Sequence, residues 1–155
     1  MTNQKSDLQI IESILRGSYV VAMVGLSDDP DRPSFEVAQY LQARGYRIIP
    51  VNPNASEILG ERAYPDLLSI PDQVDVVDIF RRAEAVPAIV EQAIQIGAKA
   101  IWMQEGIVNE EAARRARTAG LLVVMDRCMY KETKRLIEAG IVLPASGAGM
   151  NLTEG

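Results

Sequence analysis

The sequence predicts a doubly wound α/β domain on a mainly parallel sheet of about five strands. Three observations carry that expectation. Short β-type runs alternate with helical patterns along the chain, glycine or proline punctuates almost every junction, and the β-type runs are apolar throughout rather than alternating. Continuous apolar runs belong to strands covered by helices on both faces, and right-handed crossovers put the helices there.

Each element has its own local signal. Ser6 opens the first helix (6–17): Ser6 and Gln9 have capping-box spacing, and Leu8, Ile11, Ile14 and Leu15 share a face, with Gly17 as the stop. Tyr19 to Val24 read as the first strand, and Phe35 to Arg44 as a helix turned inward through Val37, Ala38 and Leu41 and stopped by Gly45. Tyr46 to Val51 form the second strand. A long loop, NPNASEILGERAYPDLLSIPDQ, leads to a third strand at Val74–Phe80. Val86 to Ile96 form a helix with Pro87 in its first turn, and Ala100 to Met103 a fourth strand that puts Trp102 and Met103 in the core. Asn109 is a natural N-cap for a helix that turns Ala112, Ala113 and Ala116 to the sheet and pairs Glu110 with Arg114 and Glu111 with Arg115 on its solvated face. Leu121 to Met125 make the fifth strand and Lys131 to Ala139 the last helix, followed by a loosely ordered tail at 140–155.

The chain has 155 residues, 48% hydrophobic and 24% charged, which describes one soluble domain over 1–155. Its one cysteine, Cys128, has no internal partner for a disulfide. The polar start MTNQKSDLQ is no secretory signal and no apolar run reaches membrane-spanning length, so a cytoplasmic protein is expected. With 16 basic and 21 acidic residues the net charge is −5, which disfavours nucleic acid and membrane surfaces as partners. Any anion bound here must be held by local geometry.

In an open parallel sheet, ligands sit outside the carboxyl ends of the strands. Those ends read Gly25-Leu26-Ser27, Asn52-Pro53-Asn54, Arg81-Arg82, Gln104-Glu105-Gly106 and Asp126-Arg127-Cys128. Gly25 permits a tight turn, and Ser34 stands just before a helix whose first N–H groups lack internal partners. That place suits a phosphate, with Ser27 and Ser34 as hydroxyl donors and Arg32 as a cation. Two readings of Ser34 stand side by side, a phosphate contact or a plain helix cap, with Asp28, Asp29 and Asp31 as solvated turn residues. The nicotinamide dinucleotide signature is absent: the G-x-G-x-x-G pattern is missing, and Asn52-Pro53 stands where a ribose-binding carboxylate is wanted. The Walker A pattern is missing as well.

The stretches VAMVGLS with RPS, IIPVNP, VDVVDIFRR, AIWMQEGI with NEEA, and VVMDRCMYKE together resemble the small stand-alone CoA-binding proteins, whose Rossmann-like domain is similar to the N-terminal part of the succinyl-CoA synthetase α subunit. The resemblance runs from about Leu15 to Leu136. It implies coenzyme A or an acyl-CoA as ligand, with the pyrophosphate at Gly25, Leu26, Ser27 and Ser34 and the adenosine near Val51, Asn52, Pro53 and Phe80. Arg81 and Arg82 then stand beside the adenosine, and an arginine there suits the 3′-phosphate that distinguishes CoA from NAD. The alternative for this pair is an exposed surface couple, and the synthetase carries small and proline residues at that place.

The synthetase works through a phosphorylated histidine, and this chain has no histidine, so that reaction is excluded. No cysteine or carboxylate cluster has metal-ligand spacing. Glu105, beside Gln104 and Gly106, is either a base or a carboxylate tied to a loop or helix end. Cys128 is either a thiol able to form a mixed disulfide with CoA or a small buried hydrophobe. The leading expectation is non-catalytic binding of CoA or acyl-CoA. The second is an enzyme using NADP or a related nucleotide, with Arg81 on the 2′-phosphate. No feature of the sequence specifies a protein partner.

Overall fold

The structure, a computed structural model, describes residues 6–144. Helix α1 (Asp7–Gly17) precedes β1 (Val20–Val24), α2 (Pro33–Ala43) and β2 (Arg47–Val51). A short antiparallel hairpin, β3 (Glu57–Ile58) and β4 (Glu61–Arg62), follows, then β5 (Val76–Ile79), α3 (Val86–Gln95), β6 (Ala100–Met103), α4 (Glu110–Thr118), β7 (Leu122–Val124) and α5 (Met129–Glu138). The five main strands form one all-parallel sheet in the order β2-β1-β5-β6-β7. The chain therefore winds one way from β1 to β2 and the other way from β5 onward, and the reversal falls between β1 and β5.

The apolar strand runs fill two cores. On one face Val21, Met23, Val76 and Trp102 meet Ile11, Ile14 and Leu15 of α1, Val37, Ala38 and Leu41 of α2, and Met129 and Leu136 of α5. On the other face Ala22, Val77, Ile79, Ile101 and Met103 meet Val86, Val90 and Ala93 of α3 and Ala112, Ala113 and Ala116 of α4. Trp102 and Met103 are both fully buried, and the Trp102 indole donates to the Arg127 carbonyl at 2.8 Å. The α4 alanines lie against the sheet without steric demand, so the helix packs closely. The predicted capping box at Ser6 is present, with both of its hydrogen bonds made. Among the described residues no helix is long and apolar enough to cross a membrane.

Several local expectations are corrected. Leu8 is half exposed rather than inward, because the buried stripe of α1 runs through Ile11, Ile14 and Leu15. The long loop contains the β3–β4 hairpin, a two-residue pairing too short for a periodicity signal. Arg115 does not pair along its own helix with Glu111. It reaches Glu91 of the adjacent α3 with a two-pronged contact at 2.8 and 3.1 Å, a geometry that suits the planar guanidinium better than an i,i+4 partner. Helices α2 and α5 both begin two residues earlier than expected, at Pro33 and Met129. The start of the expected loose tail is packed: Leu143 is buried in the first core and Ile141 lies against it, while 145–155 lie outside the described residues.

At the opposite edge from the strand ends described below, Asp75 joins β1 to the strand beside it. One carboxylate oxygen accepts the N–H groups of Tyr19 and Val20, both at 2.9 Å, and the other faces Lys99 at 3.2 Å. Burial pushes this carboxyl up, but the two backbone N–H groups and Lys99 more than offset that and hold it below the usual aspartate range. Stability from this contact is present above the unfolded-state pKa and is lost as pH falls through the folded-state value. Asp75→Ala should destabilise the protein by about 2 kcal/mol at neutral pH by orphaning two N–H groups, a difference that urea unfolding should show shrinking toward pH 3.

Candidate functional site

The reversal of strand order coincides with the tightest approach at any described glycine. After β1 the chain turns at Gly25 with φ +91°, and a Cβ there would sit 2.9 Å from both the Phe80 carbonyl oxygen and the Arg81 side chain. The Gly25 N–H donates to Val51 at 3.0 Å and the Phe80 N–H to Val24 at 2.8 Å, so the ends of β2, β1 and β5 are joined at one point. The loop that follows is built from its own polar side chains. Ser27 N–H donates to Ser34 Oγ at 3.0 Å, Asp29 N–H to Ser27 Oγ at 3.0 Å, and Asp31 N–H to Asp29 Oδ1 at 2.9 Å. Asn52 braces it from the β2 side by donating to the Leu26 carbonyl at 2.9 Å, and its own carbonyl accepts Asn54 N–H at 2.7 Å.

Ser34 is not the helix cap. Pro33, whose fixed φ and missing N–H suit the first helical position, starts α2 early and places Ser34 inside the first turn, buried, with its hydroxyl turned back to the loop. The N-cap is Arg32, which makes no side-chain capping bond. The first N–H groups of α2 therefore meet no side-chain acceptor at the cap, and the cap residue itself, Arg32, is exposed.

Two cavities flank this turn, one on each face of the sheet. The larger, about 580 Å³, lies between α2 and α5 and is floored by Phe80, Val37, Gln104 and Cys128, with Glu36, Glu105, Lys131 and Lys134 around its rim. The smaller, about 170 Å³, is walled by Val24, Val51, Pro53, Leu67, Arg81 and Ile89. Phe80 and Arg81 are adjacent in sequence and point to opposite faces, so one residue lines each cavity.

The expected site residues separate into three groups. Gly25, Leu26, Ser27, Ser34, Val51, Asn52, Pro53, Phe80 and Arg81 are brought together around the turn and its two cavities. Gln104 lines the larger cavity, but its carbonyl accepts the Met129 N–H at 3.0 Å and so caps α5. Glu105 is ion-paired to Lys131 at 3.0 Å, and that carboxylate holds the ammonium above the usual lysine range. Gly106, at φ +84°, donates to Asp126 at 2.7 Å and lines neither cavity, and exposed Arg82 lines neither. Cys128 is buried in the first core, which agrees with the packing reading, while it also lines the larger cavity.

The helix-borne wall of the larger cavity, Glu36, Val37, Tyr130, Lys131 and Lys134, escaped sequence reasoning. Strand-end logic looks at loops, and α5 begins two residues before the predicted start. Tyr130 was visible in VVMDRCMYKE; its ring stacks on Tyr40 of α2 at 4.0 Å, which joins the two helices beside the opening. Among the described residues no group of three metal-binding side chains converges.

A family model described as CoA binding domain matches residues 19–134. An uncharacterized protein, YneT of Bacillus subtilis, is 44% identical over 119 residues, covering 77% of this chain and 88% of its own. An ADP-forming acetate–CoA ligase of Archaeoglobus fulgidus is 36% identical over 98 residues, 62% of this chain but only 15% of the ligase. Among solved structures, a hypothetical protein from Pyrococcus horikoshii superposes with a TM-score of 0.80 at 39% identity, covering 88% of this chain and 99% of that one.

The close approach at Gly25 makes its own test. Gly25→Ala should lose about 1–3 kcal/mol of stability, since a strained φ combines with a backbone collision. Gly60→Ala, also at positive φ but with open space around the added carbon, should lose less, and chemical denaturation of both variants measures the difference.

Proposed function

The chain belongs to the CoA binding domain family, and we propose that it binds coenzyme A or an acyl-CoA without transforming it. The observation that supports this reading is the pair of unequal cavities that flank the Gly25 turn. CoA has three parts of different chemistry: a compact adenosine, a doubly charged pyrophosphate, and a long, uncharged pantetheine arm. The smaller cavity, with apolar Val24, Val51, Pro53 and Ile89, suits the adenine ring. The turn offers the pyrophosphate a close backbone, the Ser27 and Ser34 hydroxyls, Arg32 and the N-terminal dipole of α2. The larger cavity suits the arm, because its floor is mostly apolar and its rim carries two acidic and two basic side chains that balance.

The non-catalytic part of the reading rests on the residues in the larger cavity. Glu105, the candidate base at the end of β6, is ion-paired with Lys131. Gln104 is occupied in capping α5, and the chain has no histidine. In this reading the protein is a cytoplasmic module that senses, stores or presents its ligand. Native mass spectrometry of the purified protein should show a co-purified mass of CoA or an acyl-CoA; a mass of NADP or another nucleotide would replace this reading with that of a nucleotide-dependent enzyme.

Arg81 supplies the finer test. Its stem packs over Gly25 and its side chain borders the smaller cavity, the place proposed for the adenine ring. If its guanidinium reads the 3′-phosphate, Arg81→Ala should weaken CoA by roughly tenfold, about 1.4 kcal/mol, a modest value because the residue is exposed. Dephospho-CoA affinity should stay unchanged in the same calorimetric titrations. Equal weakening of both ligands would assign Arg81 to the turn rather than to the phosphate.

A further inference from the structure

We propose that Asp78 and Thr133 are the two walls of an internal water site between β5 and α5, closed by a proton carried on Asp78. Asp78 lies in the middle of the central strand β5, fully buried, and Thr133 lies in the middle of α5, equally buried. Both carboxylate oxygens of Asp78 and the Thr133 hydroxyl lack a hydrogen-bond partner. Unpartnered buried polar atoms are rare in native proteins, and three within one layer of this size call for a shared explanation.

The register and the helix stripe turn both residues into the same core layer. Asp78 is paired laterally with Met23 of β1 and Trp102 of β6, and neighbouring residues of a parallel sheet point to the same face. Met23 and Trp102 belong to the core that contains Met129 and Leu136 of α5. Thr133 follows Met129 by four residues and precedes Leu136 by three, so it sits within the same inward stripe. The two groups make no direct bond with each other, and a water molecule bonded to both satisfies what neither protein group does alone.

The proton follows from the surroundings. On this face β1 presents Val21 and Met23, β6 presents Ala100 and Trp102, α1 presents Ile11, Ile14 and Leu15, and α2 presents Val37, Ala38 and Leu41. The ionisable groups in this layer include Cys128 at the start of α5, Tyr46, whose hydroxyl is given to the Leu15 carbonyl, the stacked pair Tyr40 and Tyr130 at its margin, and Glu132, which is paired with Arg127 and Arg135. No cation faces Asp78 from these elements. Burial therefore drives the carboxyl well above the usual aspartate range, and the neighbouring Ile79 N–H, too poorly placed to make a hydrogen bond, opposes this only weakly. A neutral acid is both donor and acceptor, as a bridging water requires.

The site matters because α5 carries Cys128, Tyr130, Lys131 and Lys134, one wall of the larger cavity, and Asp78 lies two residues below Phe80 on its floor. Ionising Asp78 would put an unpaired charge under that wall. A high-resolution crystal structure should show ordered water bonded to both Asp78 and Thr133; a direct bond between them, or a dry contact, would overturn the proposal. At neutral pH the infrared difference between wild type and Asp78→Asn should contain the carbonyl stretch of a protonated acid, and a carboxylate signal alone would equally refute it. Because the folded state holds the proton more tightly than the unfolded chain, wild type should lose Tm relative to Asp78→Asn as pH rises from about 4 to 8. Thr133→Val should lower Tm in wild type and have less than about half that effect in an Asp78→Leu background, whereas additive losses would count against a shared site.

Discussion

Everything at the carboxyl edge depends on a contact that contains no side chain on one side. Gly25 lies against the Phe80 carbonyl so closely that a single added carbon does not fit, and that closeness lets β1, β2 and β5 end at one point. From this point the polar loop is suspended by bonds to its neighbours: Asn52 holds the Leu26 carbonyl and Ser34 holds the Ser27 N–H. The reversal of strand order opens a crevice, and the glycine sets how near the backbone comes to whatever occupies it.

A protein of net charge −5 can still offer an anion a place when the charges that matter are short-range. Asp29 is spent on the loop, where its carboxylate holds the Asp31 N–H, and Glu105 is matched by Lys131. Near the turn, Arg32, the Arg81 side chain and the dipole of α2 stand against the exposed Asp28 and Asp31 of the loop. The larger cavity is electrically balanced around its rim and apolar at its floor. In the proposed reading, charge recognition and shape recognition thus fall on different parts of one edge.

The sheet was legible in the sequence because strands buried on both faces leave an unbroken apolar run, and the helices because glycine marks where each one stops. All five parallel strands and five helices were found this way, and Ala100–Met103 had the predicted ends. Boundaries moved where chemistry competes with pattern. Serine is so common a cap that Ser34 reads as one, yet Pro33 starts the helix first and turns that hydroxyl to a different task. Pairing between helices was invisible for a related reason: Glu91 and Arg115 lie 24 positions apart and meet only because α3 and α4 pack side by side. Asp78 was hidden in VDVVDIF by its apolar neighbours, since period and hydropathy report where a strand runs and not which of its members lacks a partner.

The helices differ in how they begin. Ser6, Asn109 and Gln104 supply acceptors to the first turns of α1, α4 and α5, whereas α2, opening with Arg32 and Pro33, and α3, opening after Ala85, have no side chain doing that work. An anion seated at the head of α2 would be the acceptor the sequence omits. Its arrival would finish the helix, so that part of the affinity for such a guest would be stability added to that first turn, and occupancy should be readable as the stiffening of Pro33 to Glu36.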